Sequence, residues 1–165
     1  MIIGLVGRNA AGKTTIIEYL AKKGFLAYSL SDALRDEAKK QGLEPVRENL
    51  ISLGNKLREE FGAGVLSEKI MKKVRLDRNC AIDSIRTPQE ANVFLENGEF
   101  VLWFVDAHQN VRFERTKKRA RAGDPKTIEE FKRIEEIEEN GKIPTEQNLK
   151  KTISLAHIVI ENNGS

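Results

Sequence analysis

The sequence predicts an α/β fold in which helices cover both faces of a parallel sheet. Short apolar runs of strand length alternate with longer amphipathic segments along the 165 residues, and this alternation is typical of parallel strands joined by crossover helices. A glycine-rich loop also stands between the first apolar run and the first helical pattern. The length fits one domain, residues 1–165, with a core of ordinary size.

Five apolar runs are predicted to form the strands: residues 2–6, 25–30, 80–83, 100–106 and 157–160. Several helical segments lie between the second and third strands, and we expect this insertion, residues 31–76, to cover a substrate. Residues 87–97 and 108–122 are expected to form crossover helices. A charged helix is predicted for residues 127–140, and its glutamates are expected to face solvent. They are Glu129, Glu130, Glu135, Glu136, Glu138 and Glu139.

The formal charge of +3 is unevenly distributed. Residues 112–126 contain seven Lys or Arg and two acidic residues, so the basic character is local. A nucleic-acid surface needs a broad basic face, and Phe113 is the only aromatic residue in this segment, so we expect no nucleic-acid partner. The single cysteine, Cys80, fits a reducing compartment, and no run is long enough for a membrane span. We therefore expect a cytoplasmic protein without a membrane partner.

Residues 7–14 match the motif G-x-x-x-x-G-K-[ST], which binds polyphosphate. Gly7 and Gly12 let the backbone curl, so that successive N–H groups and the positive end of the next helix face one point. Lys13 is expected to reach the β- and γ-phosphates of ATP, and Thr14 to offer its hydroxyl to Mg²⁺. The predicted nucleotide site comprises Gly7, Asn9, Ala10, Ala11, Gly12, Lys13, Thr14 and Thr15.

Two classes of protein with this loop lack support in the sequence. Guanine-specific GTPases carry N-K-x-D, whereas residues 55–58 are N-K-L-R. Motor and transporter ATPases usually place Glu directly after the acidic residue of the second metal-site strand, and here Ser84 follows Asp83. The remaining class is that of small-molecule kinases.

Carboxylates and guanidiniums follow the second and third strands. Asp32 and Arg35 lie in the first turn of a predicted helix, while Asp83 and Arg86 lie at the carboxyl edge of the sheet, where such folds bind ligands. A guanidinium holds a phosphate with two hydrogen bonds, so Arg35 and Arg86 are predicted to bind an acceptor phosphate. Two roles stay open for Asp83, a Mg²⁺ contact or orientation of the acceptor. Asp32 is the alternative residue for the second role.

These motifs carry a family resemblance. Residues 82–87, I-D-S-I-R-T, resemble the L-D-G-F-P-R-T stretch of adenylate kinases, and residues 31–35 resemble their T-G-D-x-L-R helix start. Residues 156–165 are similar to the A-D-x-V-I-x-N-x-G-S ending of dephospho-CoA kinases and some deoxynucleoside monophosphate kinases. The chain thus resembles the nucleoside-monophosphate-kinase-like group of P-loop proteins, nearest its archaeal dephospho-CoA-kinase-like or adenylate-kinase-related members.

The resemblance implies a three-layer P-loop fold with five parallel strands in the order 2-3-1-4-5, an acceptor-binding insertion and a short lid at residues 112–126. Arg112, Arg115 and Arg119 are spaced to share one helix face, and Arg121 precedes a hinge at Gly123. In such kinases lid arginines close on the phosphates and exclude water. The predicted catalytic set is then Lys13, Asp83, Arg86, Arg115, Arg119 and Arg121.

The predicted function is ATP- and Mg²⁺-dependent phosphoryl transfer to a small phosphorylated acceptor, above all a nucleoside or deoxynucleoside monophosphate. Dephospho-CoA kinase is the alternative enzyme, in which Asp83 or Asp32 would act as base on a ribose hydroxyl. A catalytically silent regulatory domain, which binds nucleotide and reports to a partner or fused domain, is the alternative from another class. Asn162 would lie beside the donor base if the C-terminal resemblance holds, and a simple turn is the other interpretation.

Overall fold

The computed structural model describes residues 1–121, 123–142 and 146–164. Ala122 of the predicted lid and Ser165 of the C-terminal motif lie outside the described residues. Five parallel strands form one sheet in the order β2-β3-β1-β4-β5, which confirms the predicted fold class and strand order. They are β1 (Ile2–Val6), β2 (Leu26–Ser29), β3 (Cys80–Asp83), β4 (Phe100–Asp106) and β5 (Ile158–Glu161).

Helices connect these strands. The first connection holds α1 (Lys13–Lys22), the second α2 (Leu30–Lys40), α3 (Arg47–Phe61) and α4 (Val65–Met71), the third α5 (Pro88–Asn97), and the fourth α6 (Gln109–Arg119), α7 (Ile128–Glu139) and α8 (Leu149–Ile153). The short helix α8 was not predicted, because five residues are too few to show a helical period. Its N-cap is Asn148, whose Oδ1 accepts a hydrogen bond from Lys151 N–H at 3.1 Å. Within the described ranges, no helix has the length and apolar character that a bilayer span requires.

The central strand β1 explains why the first apolar run is continuous. All five of its residues are buried. Ile2 and Val6 belong to the larger core cluster, which includes residues of α2, α3, α4 and α5, whereas Ile3 and Leu5 belong to the cluster built with α1. Alternate side chains are thus buried on opposite faces of the sheet, as in any parallel strand covered on both sides.

A buried ion pair anchors the insertion between β2 and β3. Arg58 of α3 donates from Nε and Nη2 to Glu90 Oε1 of α5, at 3.0 and 2.9 Å, and both side chains are almost completely buried. The other carboxylate oxygen, Glu90 Oε2, accepts hydrogen bonds from the backbone N–H groups of Arg86 and Thr87 at 2.8 and 3.2 Å. One carboxylate therefore positions both the insertion and the segment that follows β3.

The acidic helix α7 is not the solvent-exposed face that the sequence predicts. Glu135 and Glu138 are buried, and Glu139 is partly buried. Each of the three glutamates pairs with an arginine of a different element: α6, α3 and the glycine loop. The partners are Arg112 for Glu135, Arg47 for Glu138 and Arg8 for Glu139. The prediction was wrong for these residues because their partners are distant in sequence.

Arg112 also departs from its predicted place on a lid face with Arg115 and Arg119. It lies in the first turn of α6 and is buried. Its Nε donates to the carbonyl oxygen of Ala107 at 2.7 Å, and its guanidinium pairs with Glu135. The side chain therefore joins α6 to α7 rather than facing the phosphate-binding side.

Candidate functional site

The glycine loop adopts a conformation that larger residues would prevent. A Cβ atom on Gly7 would lie 2.2 Å from the carbonyl oxygen of Val105, and one on Gly12 would lie 2.1 Å from Asn162 Nδ2. Gly12 also has a φ of +102°, which L side chains rarely adopt. The backbone of Val105 in β4 thus requires glycine at position 7, and the positive φ favours glycine at position 12.

Lys13 opens α1 and folds back over the loop. Its Nζ donates to the carbonyl oxygens of Gly7 and Arg8 at 2.7 and 2.8 Å. Burial lowers the pKa of Lys13 to about 8, and the positive charge of Arg86 acts in the same direction. Thr14 follows at the N-terminus of α1 and is exposed. Its hydroxyl is therefore accessible to a ligand.

A cleft of about 960 Å³ lies between the glycine loop, the carboxyl edge of β2 and β3, the insertion and α7. Most of the predicted nucleotide-site residues line it, namely Asn9, Ala10, Gly12, Lys13 and Thr14. Ala11 of the loop is fully buried, and Thr15 is exposed outside the cleft lining. Among the described residues that line the cleft, eight are cationic and four are acidic. The cationic residues are Lys13, Arg35, Arg47, Arg58, Arg86, Arg115, Arg119 and Arg121, and the acidic ones are Asp32, Asp83, Asp124 and Glu138.

The residues predicted after β2 and β3 all line this cleft. Asp83 ends β3, where it is paired with Ser29 of β2, and its Oδ1 accepts a hydrogen bond from Ser84 N–H at 2.6 Å. Asp32 and Arg35 form an ion pair at 2.6 Å within the first turns of α2, with the side chain of Asp32 exposed and that of Arg35 half-buried. Asp32 and Arg35 thus lie at the solvent-facing side of the cleft, and their opposite charges are paired with each other.

A second arginine joins Arg86 in the interior of the cleft. Arg47 Nη2 donates to Glu138 Oε1 at 2.6 Å, and Glu138 Oε2 lies 3.5 Å from Arg86 Nη1. Burial would raise the pKa of Glu138, but the guanidiniums of Arg86 and Arg47 outweigh it and hold that pKa below its usual value. The carboxylate is therefore charged and lies between two cations.

Sequence reasoning missed both Arg47 and Glu138. Arg47 is the first residue of α3 and carries no motif. A signal for Glu138 did exist, because Glu135 and Glu138 follow the buried Phe131 at helical spacings of four and seven residues. The pattern places these two glutamates on the buried face of α7 and Glu136 on the exposed one.

Several polar atoms around this cluster have unused hydrogen-bonding capacity. Arg47 Nε, Arg86 Nη1 and Gln147 Oε1 are buried without a hydrogen-bond partner among the described residues, and all three side chains line the cleft. Buried donors of this kind are rare in folded proteins and are a place to look for a ligand. The two arginine donors indicate an anionic ligand.

The three predicted lid arginines lie on α6 and in the segment that follows it. Arg115 donates to the carbonyl oxygens of Ala10 and Asn162, at 3.4 and 2.9 Å. Arg119 pairs with Asp124 through two hydrogen bonds of 3.0 and 2.6 Å. The backbone N–H of Arg121 donates to the same carboxylate at 3.0 Å. All three line the cleft, and Asp124 ties two of them together.

Asn162 supports the glycine loop instead of lining the cleft. Its Nδ2 donates to the carbonyl oxygen of Ala11 at 3.0 Å, and its backbone N–H donates to Asp106 at 2.7 Å. The neighbouring Asn163 accepts a hydrogen bond from His108 N–H at 2.7 Å. The C-terminal motif thus braces the loop between β4 and α6.

Comparison with known proteins identifies a family and a similar fold. Residues 3–143 match the family described as AAA domain. The chain is 37% identical over 134 residues to a UPF0200 protein of Hyperthermus butylicus, covering 80% of this chain and 72% of that one. It is 33% identical over 170 residues to a UPF0200 protein of Pyrococcus horikoshii, covering 99% and 88%. Among solved structures, it resembles shikimate kinase from Aquifex aeolicus with a TM-score of 0.55 at 19% identity, covering 100% of this chain and 89% of that one, a likeness of fold.

Proposed function

Because the chain belongs to the AAA domain family and to the UPF0200 proteins, and has a P-loop kinase-like fold, we propose that it is an ATP- and Mg²⁺-dependent phosphotransferase. Its acceptor is a small phosphorylated molecule, above all a nucleoside or deoxynucleoside monophosphate. The observation that carries this proposal is one cationic cleft, with Lys13 and the glycine loop at one side and Arg47 and Arg86 in its interior. Two anionic groups fit such a cleft, and a transfer reaction brings two phosphates together.

The donor side is the glycine loop. Its backbone N–H groups and the start of α1 provide partial positive charge, and Lys13 leaves the carbonyl oxygens of Gly7 and Arg8 to bind the β- and γ-phosphates. Thr14 and Asp83 both line the cleft with oxygen atoms, the ligand type that Mg²⁺ prefers, so these residues fit the metal. The bound ion would neutralise phosphate charge.

The acceptor side is the interior of the cleft. Arg86 and Arg47 bind the acceptor phosphate, whose oxygen forms a bond to the γ-phosphorus while the bond to the β–γ bridging oxygen breaks and ADP leaves. Arg115, Arg119 and Arg121 line the same cleft and would neutralise the charge of the transferring group, which is how an enzyme accelerates this chemistry. Of the two carboxylates that could orient the acceptor, we assign the role to Asp83, because the carboxylate of Asp32 is paired with Arg35.

The test is ATP consumption by the purified chain with Mg²⁺, measured as ADP formation. Acceptors are ribo- and deoxynucleoside monophosphates and dephospho-CoA, and a reaction without acceptor measures hydrolysis. Turnover that depends on one monophosphate supports the proposal. Phosphorylation of dephospho-CoA at a ribose hydroxyl would identify the alternative enzyme instead. Tight ATP binding without turnover on any acceptor would contradict the proposal and favour a regulatory domain.

A further inference from the structure

The carboxylate of Glu138 satisfies the two guanidiniums beside it poorly. It accepts one hydrogen bond, from Arg47 Nη2 at 2.6 Å, and its other oxygen is 3.5 Å from Arg86 Nη1. Arg47 Nε and Arg86 Nη1 are buried without a hydrogen-bond partner among residues 1–121, 123–142 and 146–164. A guanidinium binds an oxyanion best through two parallel hydrogen bonds, and here neither arginine does so.

We propose that Glu138 is an internal counter-anion of the acceptor site, which occupies the space between Arg47 and Arg86 until the phosphate of an acceptor displaces it. This inference rests on the proposed function and adds a control on that same site. Glu138 comes from α7, whereas the two arginines come from α3 and the segment after β3. The contact therefore joins three parts of the chain at the proposed acceptor site.

A phosphate monoester is suited to displace this carboxylate. It has three terminal oxygens in place of two, and a charge close to −2 at neutral pH. It can take over the hydrogen bond from Arg47 Nη2 and also accept hydrogen bonds from Arg47 Nε and Arg86 Nη1, the two donors that Glu138 leaves unused. A nucleoside without phosphate, or a compound with a single carboxylate, would interact with the two arginines less favourably than Glu138 does.

Displacement requires the side chain of Glu138 to move rather than the whole of α7. The neighbouring glutamates hold the helix, because Glu135 pairs with Arg112 and Glu139 with Arg8. Rotation about the side-chain torsions of Glu138 would carry its carboxylate away from the arginines once their charge is taken up by the ligand. The phosphate and the carboxylate of Glu138 then compete for the same two arginines, and selectivity follows from the difference between their affinities.

The experiment measures anion binding without turnover. Protein saturated with Mg²⁺ and the non-hydrolysable ATP analogue AMPPNP, which occupies the glycine loop, is titrated calorimetrically with inorganic phosphate and, separately, with acetate. In Glu138→Gln, loss of competition and gain of positive charge act in the same direction, so phosphate should bind about tenfold more tightly or better. Glu138→Asp, whose shorter side chain competes less well, should show a smaller gain.

The matched control is Glu136→Gln, which makes the same charge change on the exposed face of α7 and should leave phosphate affinity unchanged. Equal or weaker phosphate binding in Glu138→Gln and Glu138→Asp would overturn the inference and make Glu138 a residue that positions the arginines. The proposed function fails separately: absence of acceptor turnover leaves this binding result intact, and turnover with no gain in the glutamate variants refutes only the inference.

Discussion

Glu90 connects the insertion to the backbone of Arg86: its Oε1 accepts both hydrogen bonds from Arg58, and its Oε2 accepts the N–H of Arg86. The same carboxylate completes the capping box at the start of α5 with Thr87. Glu90, which does not line the cleft, thus positions the backbone of Arg86, which does.

Replacing Glu90 by Gln should destabilise the fold strongly. The change leaves the Arg58 guanidinium buried without its counter-charge, for which the expected loss is about 3–5 kcal/mol in the free energy of unfolding. Urea denaturation measures it. Glu96→Gln, an exposed position on the same helix, is the matched control and should change stability by less than about 0.5 kcal/mol. A loss below about 1 kcal/mol for Glu90→Gln would contradict the anchoring role of the ion pair.

Lys13→Met should remove phosphoryl transfer without weakening the fold. The side chain is desolvated, which lowers its pKa, so an apolar side chain of similar length avoids the burial of a charge. Acceptor-dependent ADP formation should fall by at least about a hundredfold, while the unfolding midpoint stays equal or rises. Lys22→Met, at an exposed position of α1, should retain activity. Full activity in Lys13→Met would show that Lys13 has no role in phosphoryl transfer.

The affinity for MgATP should decrease above pH 8. Burial lowers the pKa of Lys13 to about 8 in the free protein, and polyphosphate binds the protonated lysine better. Binding therefore raises this pKa and takes up a proton at higher pH, with a slope approaching about tenfold in affinity per pH unit. The ligand does not titrate in this range, because the second pKa of a phosphate group is about 6. Calorimetry in buffers of different ionisation enthalpy detects the proton uptake, and Lys13→Met should show neither effect.

Arg47→Ala and Arg86→Ala should impair use of the acceptor more than use of ATP. Both guanidiniums lie in the interior of the cleft beside Glu138, so the acceptor KM should rise by about tenfold or more while the MgATP KM changes little. Arg35→Ala is the comparison, because Arg35 is only half-buried and is paired with Asp32, and we expect a smaller rise. Steady-state kinetics with each substrate varied in turn decides the matter. A larger effect in Arg35→Ala would move the acceptor phosphate towards α2.

The sequence predicts those features that local patterns determine. The continuous apolar run of β1 and the motif around Lys13 are such features, and both lie where they were expected. The strand order followed from a family resemblance and is confirmed. The proposed acceptor side was only partly predictable, because the contact between Arg47 and Glu138 joins residues 91 positions apart. No local pattern encodes such a pair, whereas Arg86 could be found from its position directly after a strand.

The three ion pairs of α7 fix the length of this helix as well as its sequence. Glu135, Glu138 and Glu139 each meet an arginine of a different element. Inserting or deleting one residue between Thr127 and Glu135 would turn the three carboxylates by about 100° around the helix axis and shift them by about 1.5 Å along it. All three pairs would break together. Among natural variants, we therefore expect differences of length to collect in the loops on either side of α7 and to be absent from within it.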